Sequence, residues 1–162
     1  MPIRAALLLA ALSPGSALAQ DAGPVWELWS RPDSPVVIDV PDGLFDVRAK
    51  TPERDRIAWE TASGDIALTA WALPPGASAG TEALADAQLA LYPDRTVTYR
   101  TGGDTWTVIS GYEDPAGATI FYERFEVEPD GRFAAFSLIW AEARRPDVDD
   151  LVGRIGNSLA LR

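Results

Sequence analysis

Alternating hydrophobic and polar positions in the first half of the chain predict two β-hairpins. Residues 36–40 alternate, and the turn Pro41-Asp42-Gly43 leads into residues 44–47 as the return strand. Residues 57–61 alternate in the same way, and Ser63-Gly64-Asp65 joins them to a strand over 66–73. Period-two alternation bounded by glycine-containing turns is typical of hairpins.

The pattern changes to helical spacing over residues 81–92 and then returns to strands. Apolar residues three and four positions apart, with alanine between them, predict an amphipathic helix that ends at Pro93. Four strands of a meander follow, over 96–100, 105–112, 118–128 and 132–142. The turn Pro129-Asp130-Gly131 is a strong hairpin signal between the last two strands.

A second helix is predicted near the C-terminal end. Pro146 suits the first turn of a helix, and the acidic residues that follow it favour the positive end of the helix dipole. One face of this segment is apolar, and the residues on it are Val148, Leu151, Val152, Ile155 and Leu159.

Apolar residues on both faces of the central strands predict a layered fold. Ile120 and Tyr122 lie on one face of their strand, whereas Phe121 and Phe125 lie on the other. We therefore expect an α+β fold, in which an antiparallel sheet of about six or seven strands is covered by two helices. The segment 20–34, which contains Trp26 and Trp29, is expected to be an irregular lead-in whose indoles dock on the domain.

This order of hairpins, helix, long meander and terminal helix resembles the PsbP-like fold, an α/β/α sandwich. The resemblance covers roughly residues 34–162 and implies a non-enzymatic accessory or binding module, without carrying over any functional residue. The segments VTYRTGGDTWTVISGY and IFYERF also resemble stretches of small exported proteins of alphaproteobacteria. That second resemblance implies a cellular location rather than an activity.

The first nineteen residues are typical of a cleaved secretory signal. Arg4 precedes an apolar run over 5–12, and Ala17-Leu18-Ala19 provides a site with small residues before Gln20. We expect a single domain over 20–162, freely soluble in a Gram-negative periplasm or secreted, with no membrane insertion after cleavage. This compartment makes an envelope protein or a small ligand the expected partner.

Composition excludes several classes of function. The chain contains no histidine and no cysteine, so it cannot build a Ser-His-Asp or Cys-His nucleophile, a Cys/His zinc site or a thiol redox centre. Its net charge of −10 disfavours nucleic acid as a partner. No cofactor is implied, and the remaining chemistry belongs to carboxylates, hydroxyls, tyrosine, arginine and Lys50.

Glu123 is the one weak catalytic candidate, because it lies between Phe121 and Phe125 on one strand face. A carboxyl group buried among aromatic rings would have a raised pKa and could act as a general acid. The alternatives are a structural ion pair with an arginine of a neighbouring strand, Arg100 or Arg132, and a position at the sheet margin.

Aromatic and arginine side chains on the meander are the preferred binding candidates. Those that share a sheet face would form a patch suited to a carboxylate, a sugar or a peptide, and ordinary cross-strand packing is the alternative. The candidate residues are Tyr99, Arg100, Trp106, Tyr122 and Arg124.

Two acidic clusters do not have the spacing of a calcium loop. Residues 147–150 are better explained by the helix dipole, and residues 126–130 by a solvated strand edge with its turn. We predict no metal site. The expected function is thus an exported, non-enzymatic binding or accessory domain; the alternative is a carboxylate-based glycan hydrolase with Glu123 as its general acid.

Overall fold

The computed structural model describes residues 23–30, 32, 34–49 and 56–162. The predicted signal sequence, 1–19, lies outside these described residues, and its cleavage stays a prediction. No helix in the described ranges has both the length and the apolar character needed to cross a bilayer.

A seven-stranded antiparallel sheet forms the centre of the described chain, with strand order β3-β4-β5-β9-β8-β7-β6. Its strands are β3 (Val47–Ala49), β4 (Arg56–Glu60), β5 (Ile66–Leu73), β6 (Thr96–Gly102), β7 (Trp106–Tyr112), β8 (Thr119–Val127) and β9 (Phe133–Ala141). The predicted α+β class and the strand number are confirmed, as are the hairpin β4–β5 and the meander β6–β9.

A second, three-stranded sheet packs beside the first. It consists of β1 (Trp26–Ser30), β2 (Val36–Pro41) and β10 (Ala160–Leu161), in the order β1-β2-β10. The predicted hairpin between 36–40 and 44–47 is therefore wrong. β2 pairs instead with β1, whose residues lie in the segment predicted to be irregular, and with the distant β10.

Two helices cover opposite faces of the large sheet. Helix α1 (Thr81–Ala90) packs on β7 and β8, whereas helix α2 (Arg145–Ser158) packs on β9 and on β2 of the small sheet. Pro146 occupies the first turn of α2, as predicted. A short 3-10 turn, Glu142–Arg144, leads from β9 into α2.

The large sheet separates two apolar cores, because its central strands are apolar on both faces. On the α2 face, Ile120, Leu138 and Phe136 pack with the small sheet and α2. On the α1 face, Phe121 and Phe125 pack with Ala85 of α1 and their neighbours. The molecule is thus built in three layers, with the large sheet in the middle.

Candidate functional site

Most of the predicted aromatic and arginine patch lies on the α2 face of the large sheet. Trp106 pairs in register with Glu126 of β8, and Tyr122 and Arg124 follow on the same face of that strand. The Arg124 guanidinium lies 5.1 Å from the centroid of the Trp106 ring, and its Nε donates to Glu126 Oε1 at 2.5 Å. Tyr99 of β6 pairs with Ser110 of β7, which in turn pairs with Tyr122 of β8. Because residues paired across strands share a sheet face, Tyr99 lies on the same face as Tyr122.

Arg100 does not belong to this patch. Side chains alternate along a strand, so Arg100 points to the α1 face when Tyr99 points to the other. It donates to Glu82 and to Asp86 of α1, with a distance of 2.8 Å to Asp86 Oδ1. These contacts hold the helix to the edge strand β6, and the inclusion of Arg100 in the patch is wrong.

A groove of about 330 Å³ runs beside the patch, between α2 and strands β6–β8. Tyr112, Tyr122 and Trp140 form part of its wall, and Arg145 and Asp149 contribute from the first half of α2. Burial raises the pKa of the Tyr122 hydroxyl, which the nearby Arg124 partly offsets. Its phenol stays neutral at physiological pH and can both donate and accept a hydrogen bond.

Trp140 lines this groove with its side chain and carries a buried N–H group without a partner. Its indole Nε1 makes no hydrogen bond within the described residues, and this atom has essentially no surface accessible from the groove. A buried N–H group without an acceptor lowers stability. The sequence identified the neighbouring patch but not Trp140, because nothing in an apolar strand indicates which indole lacks an acceptor.

A bulge in β6 shapes one end of the groove. The register of β6 shifts between Val97 and Tyr99, and Thr98 at that irregularity lines the groove. Gly111 of β7 permits this shift, because a Cβ atom there would lie 1.9 Å from the Thr96 carbonyl oxygen. Glycine is required here for close backbone approach.

Glu123 lies on the opposite face and is fully buried, rather than at the sheet margin. Its partner is Arg95, whose Nη1 donates to Glu123 Oε1 at 3.0 Å and whose Nη2 donates to Glu113. Burial raises the pKa of the Glu123 carboxyl, and the charge of Arg95 opposes that rise.

The two arginines expected to pair with Glu123 are both engaged elsewhere. Arg132 donates to Asp130 Oδ2 at 2.6 Å, and Arg100 is held by α1 as described above. The actual partner, Arg95, comes from the loop that joins α1 to β6 rather than from a neighbouring strand. The prediction of the partner is therefore wrong.

The arrangement around Glu123 offers no support for a glycan hydrolase. Such enzymes place two carboxyl groups across a cleft. Among the described residues that line the cavity beside Glu123, no second carboxylate occurs.

The two acidic clusters are largely neutralised by arginines. Asp147 accepts from Arg144 at 2.7 Å, and Asp130 accepts from Arg132. Within the described parts of the chain, no group of three or more acidic side chains could hold a metal ion.

No protein-family model and no curated protein matches this chain. Solved structures do. Cyanobacterial PsbP (CyanoP) from Synechocystis sp. PCC 6803 matches with a TM-score of 0.59 and 12% identity, over 94% of this chain and 98% of CyanoP.

The Saccharomyces cerevisiae Ran-binding protein Mog1p matches with a TM-score of 0.62 and 10% identity, over 85% of this chain and 96% of Mog1p. A point mutant of Mog1 matches with a TM-score of 0.56 and 10% identity, over 78% of this chain and 90% of that one. Structural matches at sequence identities this low show similarity of fold and not of function. The chain has the PsbP-like fold.

Proposed function

We propose that this protein is an exported, non-enzymatic binding or accessory domain of the periplasm, which holds its partner in the groove on the α2 face. The observation that carries the proposal is the aromatic and arginine patch beside this groove, in which Arg124 lies over the Trp106 ring and Tyr99 is largely exposed. Aromatic and guanidinium groups of this kind are suited to contact with a protein partner.

The surroundings of the groove favour a protein segment as the partner. Trp106, Tyr122 and Arg124 are residue types enriched at binding hot spots, and Tyr99 beside them is 54% exposed. Tyrosine and tryptophan bury large areas while keeping a polar atom available. The resemblance in fold to a Ran-binding protein agrees with a role in protein binding.

Site-specific photo-crosslinking in the bacterial envelope tests the groove. A photoreactive phenylalanine analogue in place of Tyr99 should give a discrete adduct, whereas the same analogue in place of Ala87, exposed on α1, should not. The adduct at Tyr99 should disappear when Tyr122→Ala and Arg124→Ala are combined. An adduct that survives this double substitution, or equal adducts from both positions, would contradict the proposal.

Export is tested separately by sequencing the N-terminus of protein recovered from the periplasmic fraction. We expect the recovered chain to begin at Gln20. Replacing Ala17 and Ala19 by leucine should block cleavage and leave the protein attached to the membrane. Unprocessed protein in the cytoplasm would contradict the proposed periplasmic location. It would not affect the proposal that the groove binds a partner.

A further inference from the structure

Strand β6 is an open edge of the large sheet. Within the described chain it pairs with β7 on one side and with no strand on the other. Its side chains are exposed at every position except Thr101, which is half-buried, so the strand is not covered by another layer. An edge of this kind presents main-chain N–H and C=O groups that have no strand partner.

The second half of β6 lacks the features that usually protect a sheet edge from pairing. Such features are short strands, proline, outward-pointing lysine and bulges. The bulge of β6 lies between Val97 and Tyr99, and the register from Tyr99 to Gly102 is regular. This stretch contains no proline or lysine, and its one charged side chain, Arg100, is held on the α1 face by two carboxylates of the helix.

The other edges in the described part of the chain are less suited to accepting a strand. Strands β3 and β10 have three and two residues, whereas β6 has seven. Strand β1 has five residues, carries the exposed carboxylate of Glu27, and is followed by Pro32 two positions beyond its end. Strand β6 is thus the longest of these edges and the least protected.

Hydrogen bonding in the adjoining turn shows which backbone groups of β6 face outward. Gly103 N–H donates to the Trp106 carbonyl oxygen at 2.8 Å, so the main chain of Gly103 faces β7. Inward and outward backbone groups alternate along a strand of an antiparallel pair. The backbone groups of Thr101 therefore face β7, whereas Arg100 and Gly102 direct their N–H and C=O groups to the open side.

Two exposed apolar side chains lie beside this open backbone. Tyr99 is 54% exposed and Val97 is 38% exposed. Tyr99 pairs with Ser110 and Val97 with Gly111, so the two side chains lie on opposite faces of the sheet. An added strand would therefore cover apolar surface on both faces while it hydrogen-bonds to the edge.

The charges around β6 favour a basic partner segment. Asp94 and Asp104 are exposed two residues beyond the two ends of the strand. Beside the strand, the partly exposed carboxylates of Glu82 and Asp86 outnumber the single guanidinium of Arg100. A second copy of this chain would bring the same carboxylates and a further net charge of −10, which disfavours it as the occupant.

We propose that β6 binds an extended, basic segment of the partner protein as an eighth strand of the large sheet. The backbone of this segment pairs with the outward groups of Arg100 and Gly102, and its apolar side chains lie beside Val97 and Tyr99. Its lysine or arginine side chains meet the carboxylates around the strand. The inference rests on the proposed function, because the groove ends at β6, and it adds the conformation and the charge of the partner segment.

Titration of the purified protein with a synthetic peptide tests the open edge without the natural partner. The probe is acetyl-Lys-Val-Thr-Val-Arg-Val-Thr-Lys-amide, which is basic and has the alternation of a strand. Calorimetry should detect binding at pH 7 and low salt. Binding should also slow the amide hydrogen exchange of Arg100 and Gly102, measured by NMR, because their N–H groups gain acceptors. The exchange of Thr101, whose N–H group already faces β7, should change little.

A modified peptide and a pair of protein variants separate strand pairing from simple charge attraction. The same peptide with N-methyl groups on its central residues keeps its side chains and charge but loses its N–H donors, and should bind about tenfold more weakly or worse. Tyr99→Lys should also weaken binding of the unmodified peptide by about tenfold or more, because it places a repelling charge on the edge. Leu28→Lys, the matched change at an exposed apolar position of edge strand β1, should leave binding unchanged.

Several results would overturn the inference. One is the absence of peptide binding, and another is binding of the N-methylated peptide as tight as that of the unmodified one. Equal effects of Tyr99→Lys and Leu28→Lys would show that overall charge, rather than the edge, explains the binding. A dimer that forms without peptide and dissociates in Tyr99→Lys would make a second copy the occupant.

Failure of this inference can be distinguished from failure of the proposed function. If the photo-crosslinked adduct at Tyr99 forms in the envelope but the peptide does not bind, a partner is present and is not held as a strand. If no adduct forms at Tyr99, the proposed function itself is wrong.

Discussion

Arg95 lies between two carboxylates and two aromatic rings, and its charge is almost wholly removed from water. Its guanidinium carbon is 3.9 Å from the centroid of the Tyr92 ring and 4.4 Å from that of Phe121. Burial acts to lower the pKa of Arg95, but the hydrogen bond to Glu113 and the charges of Glu123 and Glu113 together raise it above its ordinary value. Arg95 is therefore a fixed charge on which the ionisation of Glu123 depends.

Replacing Arg95 by methionine should destabilise the protein in a pH-dependent way. Removal of one partner of a buried ion pair costs about 3–5 kcal/mol, because the other charge is left without compensation. Glu123 already has a raised pKa, so its contribution to stability is present below its unfolded pKa and is lost as pH rises through the folded value. Without Arg95 this pKa rises further, and the loss of stability should be larger at pH 7 than at pH 5.

Urea unfolding of Arg95→Met at the two pH values measures this difference. The double variant Arg95→Met with Glu123→Met should recover much of the lost free energy of unfolding, since it leaves no buried charge at this pair. A loss that is equal at both pH values would show that packing, rather than the charge of Glu123, explains the effect.

For individual residues, the sequence indicates which side chains share a strand face better than it indicates their partners. The period-two spacing placed Glu123 on one face with Phe121 and Phe125 and left its burial open. Its partner could not be predicted, because Arg95 reaches Glu123 from a loop, and the path of a loop is set by the packing of α1 rather than by a local pattern. The unpaired Nε1 of Trp140 has no sequence signal at all.

At the scale of elements, the edge strand β6 depends on a glycine in its neighbour. Residues 96–100 are exposed along β6, so side-chain burial contributes little to holding this strand in place. Its position is set by hydrogen bonding to β7, by the bulge opposite Gly111, and by the contacts of Arg100 with α1.

Gly111→Ala should lower the free energy of unfolding by about 3 kcal/mol, the cost of forcing extra atoms into a closely packed site. The new Cβ atom would meet the Thr96 carbonyl oxygen at 1.9 Å and the Thr98 nitrogen at 3.0 Å, so β6 would have to shift. Amide hydrogen exchange should show the loss of protection concentrated in β6 and β7.

Gly153→Ala in α2 is the matched control. No heavy atom lies within 4 Å of a Cβ built at Gly153, and alanine favours the helix interior by about 0.5–1 kcal/mol over glycine. This variant should therefore be more stable than the parent. A destabilisation as large as that of Gly111→Ala would contradict the steric explanation.

Strands β4–β9 and both helices were predictable because each carries its own periodicity or turn. Strand β1 and the pairing partners of β2 could not be predicted from the sequence. Strand β1 is mostly exposed, with only Trp29 buried among its five residues, so it has too few apolar positions to indicate a strand. A glycine-containing turn next to β2 predicted a local hairpin, whereas β2 pairs with β1 and β10.

Across the whole molecule, the small sheet and the large sheet are joined through tryptophan packing. Trp29 of β1 and Trp59 of β4 meet edge to face, with ring centroids 5.3 Å apart and an interplanar angle of 84°. Both side chains are buried in the core on the α2 face. This pair reports whether the two layers are in contact.

Trp29→Ala should cost about 3–5 kcal/mol of unfolding free energy, typical of removing a large aromatic side chain from a core. Near-ultraviolet circular dichroism should also lose the signal of the coupled indoles. Trp26→Ala, on the same strand but only half-buried, should cost less and should retain that signal. Similar costs for the two variants would indicate that the layers are not joined through Trp29.

The layered architecture itself was predictable, since apolar residues on both faces of the central strands require a cover on each side. Which helix covers which face could not be predicted, because the period-two pattern does not distinguish one face of the sheet from the other. The additional sheet on the α2 face is completed by the pairing of β2 with β10, which is distant in sequence, and no local pattern encodes this pairing.

The pairing of β2 with β10 has a consequence for the order of folding during synthesis. Asp39 N–H donates to Ser158 Oγ, a contact between residues 119 positions apart, and residues 160–161 complete the small sheet beside β2. Contacts this distant in sequence cannot form until β10 has left the ribosome. Until then β2 can pair only with β1, so completion of the small sheet is a late step in folding.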